Sequence, residues 1–147
     1  EMDICPLLGD CYFALKNYDA AVAAYKRTLK IEANAFEALL PMVQALQALH
    51  REEEALIWLN SALQYENYEE PLVARAKLHR AMANEEAALA DWEVLVKENP
   101  QNLQYQVARA EMLLAVGKKK KAKDAVKKLL HAGFPHRELP AQLQEIK

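Results

Sequence analysis

Glycine is scarce in this sequence of 147 residues, which contains three, at Gly9, Gly117 and Gly133. Phosphate-binding loops and dinucleotide-binding turns each need several closely spaced glycines. The sequence therefore excludes nucleotide enzymes of those classes. No run of about 18 apolar residues is present either, so no segment predicts a membrane-spanning helix. The first residues lack the basic start and apolar stretch of a secretory signal, and we expect a soluble chain excised from a longer one.

Cysteine is also rare, with only Cys5 and Cys11. The two lie six positions apart in a stretch with helical patterning, where their Cβ atoms would be too far apart for a disulfide. We therefore expect two free, inward-facing thiols. Free thiols favour a reducing compartment, which predicts a cytoplasmic location.

Charge is balanced over the whole sequence but not along it. The net charge is −2. Residues 1–74 hold 5 basic and 12 acidic side chains, and residues 75–147 hold 14 and 9. Such asymmetry can orient a charged partner, but it says little about the fold.

Apolar residues recur at helical spacing along nearly the whole chain, and runs of β-branched residues bounded by turn signals are missing, which predicts an all-α protein. One unit, with a period of roughly 34 residues, occurs four times and is marked by Ala21, Ala55, Ala88 and Ala122. Twelve residues before each alanine stands a small or β-branched residue, namely Gly9, Val43, Ala76 and Ala110. A helix pair of this length cannot bury its apolar faces alone, so the pairs are expected to stack.

The first unit, with Leu8-Gly9-x-x-Tyr12 followed by Ala21-x-x-x-Tyr25, resembles the tetratricopeptide (TPR) repeat, and Pro100 closes the third unit as that pattern requires. The sequence departs from the pattern at Arg75 and Arg109, where the pattern has leucine. The resemblance implies one domain, a right-handed α-solenoid of helix-turn-helix repeats. Their bounds are about 2–35, 36–68, 69–102 and 103–135. Residues 136–147, amphipathic through Leu139, Leu143 and Ile146, are expected to form a C-terminal capping helix.

The resemblance further implies a scaffold or adaptor without catalysis of its own, which binds a peptide or helix of a partner protein in a concave groove lined by the first helices. The repeat register gives twelve groove positions: Leu7, Asp10, Phe13, Leu40, Gln44, Gln47, Val73, Lys77, Arg80, Val107, Glu111 and Leu114. An apolar strip with Lys77 and Arg80 beside it suits a segment that carries apolar anchors and an acidic residue. Taken singly, these residues are also ordinary surface positions.

Some TPR co-chaperones clamp an acidic C-terminal EEVD tail with lysines, asparagines and an arginine in the groove. The corresponding positions here hold Pro6, Asp10, Pro41, Glu70 and Ala74, or, one repeat further, Leu40, Gln44, Ala74, Gln104 and Ala108. Neither set can form the clamp, so we expect no EEVD binding.

Lysine is concentrated in one eleven-residue stretch, at Lys118, Lys119, Lys120, Lys121, Lys123, Lys127 and Lys128, here called the lysine cluster. It fits a solvated helix face, and it could also contact a polyanion. The cluster has no arginine and no aromatic residue for base stacking, which disfavours nucleic acid and favours an acidic protein segment.

An enzyme is disfavoured because no nucleophile–base pair or carboxylate dyad is recognisable. His50, His79, His131 and His136 lack the spacing of zinc ligands, so we expect no metal and no cofactor. The remaining alternative is a structural or self-associating segment of a longer repeat protein, because Glu1 falls on the first residues of a repeat.

Overall fold

The computed structural model describes residues 7–146. Over that range the chain consists of α-helices joined by short turns, with no β-strand. The protein therefore has an all-α fold, as the sequence predicts. The chain divides into two compact units, Glu1–Arg75 and Ala76–Lys147. The division falls within one helix, Glu69–Ala81, which we number α5.

The described part of the first unit contains four complete helices, α1 (Leu8–Ala14), α2 (Tyr18–Ile31), α3 (Phe36–Ala48) and α4 (Glu52–Ala62). Helix α2 packs against α1 and α3, and α3 packs against α4. The core of this unit consists of side chains that are fully or almost fully buried, among them Tyr25, Leu39, Met42, Leu46 and Leu59. The buried residues recur three and four positions apart, which is the spacing that places one apolar stripe on each helix.

The second unit contains α6 (Glu85–Glu98), α7 (Leu103–Ala115), α8 (Lys119–His131) and α9 (Ala141–Gln144). Helix α7 packs against α6 and α8, and α9 contacts α7 and α8. Ala88, Leu95, Leu113 and Leu129 are buried in this unit. The alanines that mark the repeats, Ala21, Ala55, Ala88 and Ala122, are all 0% exposed.

The C-terminal segment, residues 136–147, contains less helix than the sequence pattern predicts. A single 3₁₀ turn, His136–Glu138, precedes the four-residue α9. Pro140 stands between them as the N-cap residue of α9, and a proline cannot donate the hydrogen bond that would continue an earlier helix. Leu139 and Leu143 are nevertheless buried, so the apolar side of the segment covers part of the core.

The turn between paired helices has the same backbone geometry four times. Its central residue has a positive φ, 60° at Lys16, 59° at His50, 61° at Ala83 and 91° at Gly117. Each time the next residue donates its N–H to a carbonyl five positions back, for example Asn17 to Tyr12 and Lys118 to Leu113. This is the Schellman motif, which satisfies the last carbonyls of a helix and prefers glycine at its left-handed position. Only the fourth turn has that glycine.

The left-handed turns predict opposite effects for two substitutions. Gly117→Ala is expected to destabilise the protein by about 1 kcal/mol, because alanine is strained at positive φ. His50→Gly is expected to stabilise it by about 0.5 kcal/mol, since relief of strain outweighs the added flexibility of the unfolded chain. Urea unfolding followed by circular dichroism measures both. Arg27→Gly, at an exposed site inside α2, is the control and should cost about 1 kcal/mol; a loss of stability in His50→Gly would contradict the argument.

Candidate partner-binding surfaces

The predicted groove residues at α1 make contacts within the first unit. Leu7 is the half-buried N-cap residue of α1. The Asp10 carboxylate accepts a hydrogen bond of 2.5 Å from the Tyr25 hydroxyl on α2. The Phe13 ring packs edge-on against Tyr18 of α2, with 5.4 Å between ring centroids. Asp10 and Phe13, which the register assigns to the groove, therefore also contact the paired second helix.

Tyr25 is held in its protonated form by its surroundings. The residue is fully buried, and burial raises the pKa of its hydroxyl above the usual value for tyrosine. The hydrogen bond to the Asp10 carboxylate raises that pKa further, because a phenolate beside a carboxylate would be repelled. The Tyr25 hydroxyl therefore remains a donor at neutral pH and ties α1 to α2.

The predicted groove residues of α3 leave more surface to solvent. Gln44 is exposed, and Leu40 and Gln47 are half-buried. Val73, on α5, is half-buried as well. A partner could thus reach these residues without unfolding any element.

In the second unit, two predicted groove residues form an ion pair across helices. Arg80 Nη2 of α5 lies 3.3 Å from Glu111 Oε2 of α7. The Arg80 side chain is 52% exposed and that of Glu111 is 18% exposed, so the arginine is the accessible member. Lys77, one turn before Arg80, is exposed. Lys77 and Arg80 thus place two accessible positive charges on α5.

A cleft of about 200 Å³ adjoins this ion pair. Arg80, Glu111 and Leu114 line it together with Met112 of the core and Glu85 at the start of α6. Three of the predicted groove residues therefore share one concave surface within the second unit. Val107, by contrast, is 7% exposed and belongs to the core, so it offers little surface to a partner.

The lysine cluster lies on and just before α8. All of its members are exposed except Lys123, which is half-buried. Lys118 is the N-cap residue and makes no side-chain cap hydrogen bond, and the first turn of α8 carries no acidic residue. Lysine side chains near the N-terminus of a helix are repelled by the positive end of the helix dipole. The cluster therefore concentrates seven positive side chains along α8, whose one acidic residue is Asp124.

Comparison with solved structures identifies the fold. Over 92% of its length the chain is similar to a tetratricopeptide-repeat protein from Parabacteroides merdae ATCC 43184, with a TM-score of 0.75 and 20% sequence identity. This is a TPR fold. The match covers 53% of the Parabacteroides chain, so the present chain spans about half of that protein.

Two further TPR-fold structures are similar. A thermophilic TPR protein from Thermus thermophilus matches with a TM-score of 0.62 and 22% identity, over 92% of this chain and 77% of that one. The protein MamA (residues 41 to the end) from Desulfovibrio magneticus RS-1 matches with a TM-score of 0.68 and 18% identity, over 84% and 71% of the two chains. At the sequence level, no family model matches the chain, and a search of curated proteins gave no match. At these identities the likeness concerns the fold.

The two departures from the TPR leucine position have a structural explanation. Arg75 donates from Nη1 to Asn60 Oδ1 of α4 at 3.1 Å, and Arg109 donates from Nε to Glu93 Oε2 of α6 at 3.4 Å. Asn60 and Glu93 each follow the marker alanine of their repeat by five positions. The same arginine contact to the preceding second helix thus occurs twice in the repeat register, and it replaces an apolar contact with a polar one.

A charged network on α2 and α4 is absent from the sequence predictions. Glu54 accepts from Lys26 Nζ at 2.7 Å and from Arg51 Nη2 at 2.6 Å, and these bonds lower the pKa of the Glu54 carboxyl. Arg51 Nη1 also lies 3.6 Å from Asp19. No local sequence pattern indicates this network, because Lys26 and Glu54 are 28 positions apart and meet only when two second helices stack.

The half-buried His79 lies close to a carboxylate. His79 Nε2 of α5 lies 3.9 Å from Asp91 Oδ2 of α6, with side chains 14% and 7% exposed. Asp91 is the buried charged residue in the described part of the chain. Its burial beside His79 joins the paired helices of the third repeat by polar as well as apolar contacts.

Neither a metal centre nor a membrane span is found in the part of the chain that the structure describes. Among residues 7–146, no three His, Cys, Asp or Glu side chains are grouped as metal ligands. No helix in that range is long and apolar enough to cross a membrane.

The expectation for the cysteines is wrong at Cys11, which is disulfide-bonded. Cys5 lies outside the described residues. The expectation assumed helical spacing between the two cysteines, but α1, which carries Cys11, begins at Leu8. The thiol argument for a reducing compartment, and with it for the cytoplasm, is therefore removed.

Proposed function

We propose that the chain is a protein-interaction module that binds a peptide or helix of a partner protein on its first helices, and that it has no catalytic role. The observation that carries this proposal is the cleft in the second unit, where Arg80, Glu111 and Leu114 come together. A concave surface that combines apolar side chains with a few convergent polar groups is typical of binding sites. The TPR fold, which stacks helix pairs, supports the same conclusion.

The expected partner carries apolar anchors and an acidic residue. The carboxylate of that acidic residue can approach two cationic side chains, Lys77 and Arg80, and these differ in whether they already form an ion pair. Arg80 already interacts with Glu111 at 3.3 Å and would have to share its guanidinium, whereas exposed Lys77 forms no ion pair with any residue that the structure describes. We therefore assign the main acidic contact to Lys77 and a secondary one to Arg80.

The test begins with capture of a partner from cell extract, its identification by mass spectrometry, and titration of the purified partner. Lys77→Glu with Arg80→Glu is expected to weaken binding by roughly 1 to 3 kcal/mol while the helical content stays unchanged. Leu40→Ala and Val73→Ala probe the apolar anchors on α3 and α5.

Lys97→Glu, an exposed charge reversal on the second helix α6, is the control and should bind normally. Full-strength binding by the double variant and by both alanine variants would place the binding face elsewhere. A concentration-dependent mass in sedimentation, with no partner required, would instead favour the structural, self-associating alternative.

A further inference from the structure

A second cleft lies in the second unit, away from the Arg80–Glu111 ion pair. It measures about 190 Å³ and is lined by residues of three helices: Val96 of α6, Gln106 and Arg109 of α7, and Ala125 and Lys128 of α8. Binding sites for drug-sized molecules usually have volumes of about 300 Å³ or more. The cleft is thus too small for such a molecule and is suited to a single side chain.

The walls of this cleft are apolar and its charged groups are cationic. Val96 and Ala125 present only hydrocarbon, and Ala125 is 8% exposed. The two charged lining residues are Arg109 and Lys128. Arg109 is partly neutralised by Glu93 at 3.4 Å, while exposed Lys128 has no ion pair among the described residues. An apolar group that enters the cleft therefore has two cationic side chains at its edge, of which Lys128 is the accessible one.

Helical geometry extends that charge along one stripe of α8. Lys121, Ala125 and Lys128 are spaced i, i+4 and i+7, so they lie on the same side of the helix. Lys120 and Lys127 lie on a different stripe, roughly a quarter turn away. The lysine cluster thus has one stripe that includes Lys128 of the cleft and another stripe, equally exposed, that includes no residue of the cleft.

We propose that this face, formed by α6, α7 and α8 around the second cleft, binds an acidic segment of a partner protein that inserts one apolar side chain. The apolar walls favour an aliphatic anchor, and Lys121 and Lys128 attract carboxylates on both sides of it. Nucleic acid is the poorer match, because no aromatic side chain lines the cleft to stack on a base. This surface is separate from the face of the proposed function and does not depend on it.

The experiment uses two fluorescently labelled acidic nonapeptides of Glu and Asp, one with a central leucine and one with a central serine, and measures anisotropy at 150 mM salt. The leucine peptide is expected to bind at least about tenfold more tightly than the serine peptide, because only leucine fills the cleft with apolar atoms. Equal affinities would overturn the proposal.

The chain offers a matched pair of charge reversals. Lys121→Glu with Lys128→Glu should weaken the leucine peptide about tenfold or more, whereas Lys120→Glu with Lys127→Glu, which changes the net charge equally, should weaken it less than about threefold. Equal losses of affinity in both double variants would show that the overall positive charge of α8, and not this cleft, attracts the peptide.

Heparin and duplex DNA serve as competitors. Weak competition at 150 mM salt supports a peptide-specific surface, and displacement at concentrations below those of the leucine peptide would overturn it in favour of a general polyanion contact. Thermal unfolding by circular dichroism shows that each variant is folded before its binding is compared.

Discussion

Replacing Ala88 with glutamate is expected to destabilise the protein by about 3 to 5 kcal/mol. Ala88 is 0% exposed on α6, so the new carboxylate would be buried. It would also lie one helical turn from Asp91, itself buried, and the two negative charges would repel each other. Because folded domains are stable by only about 5 to 15 kcal/mol, such a loss is a large part of the free energy of unfolding.

Ala90→Glu is the matched control for this prediction, since Ala90 is exposed on the same helix. It should change the free energy of unfolding by less than about 0.5 kcal/mol. Urea unfolding measures both variants. If Ala88→Glu is too unstable for a urea series, its thermal midpoint against that of Ala90→Glu decides the question. An effect at Ala88 as small as that expected for the control would mean that the repeat register is wrong.

The helical fold could be predicted because its information is local and repeated. The marker alanines recur with a period of roughly 34 residues, and each is buried in the structure. An alanine at such a position allows two helices to approach closely, and four copies of the same requirement remove the ambiguity that a single apolar pattern would leave. The positive φ at the four turns follows the same period.

The contacts of individual groove residues could not be predicted, because they depend on small rotations of each helix. Asp10 turns toward Tyr25 and bonds to its hydroxyl, and Val107 is buried. A stripe drawn from sequence spacing identifies the helix face to within about one position, which is too coarse to separate a groove residue from a neighbour in the core. Contacts between side chains distant in sequence, such as Lys26 and Glu54, cannot be predicted from any local pattern.

Gly9 is required for space rather than for backbone freedom. It is buried in α1, and a Cβ placed on it would come closer than 3.0 Å to three ring carbons of Tyr25. That ring cannot move aside easily, because it is fully buried and its hydroxyl is held by Asp10. The missing side chain at Gly9 thus leaves room for the Tyr25 ring of α2, which covers the glycine.

Gly9→Val is therefore expected to destabilise the protein by about 3 kcal/mol, the upper range for overpacking a core. The second repeat shows how the clash can be relieved, because Val43 and Leu59 stand there in the register positions of Gly9 and Tyr25. Tyr25→Leu alone should also destabilise, since it leaves a cavity and removes the bond to Asp10. The double variant Gly9→Val with Tyr25→Leu should be less destabilised than the sum of the two single variants by about 1 kcal/mol or more, because the branched side chain fills the space that the ring leaves. Additive losses in urea unfolding would show that the two residues do not compete for the same space.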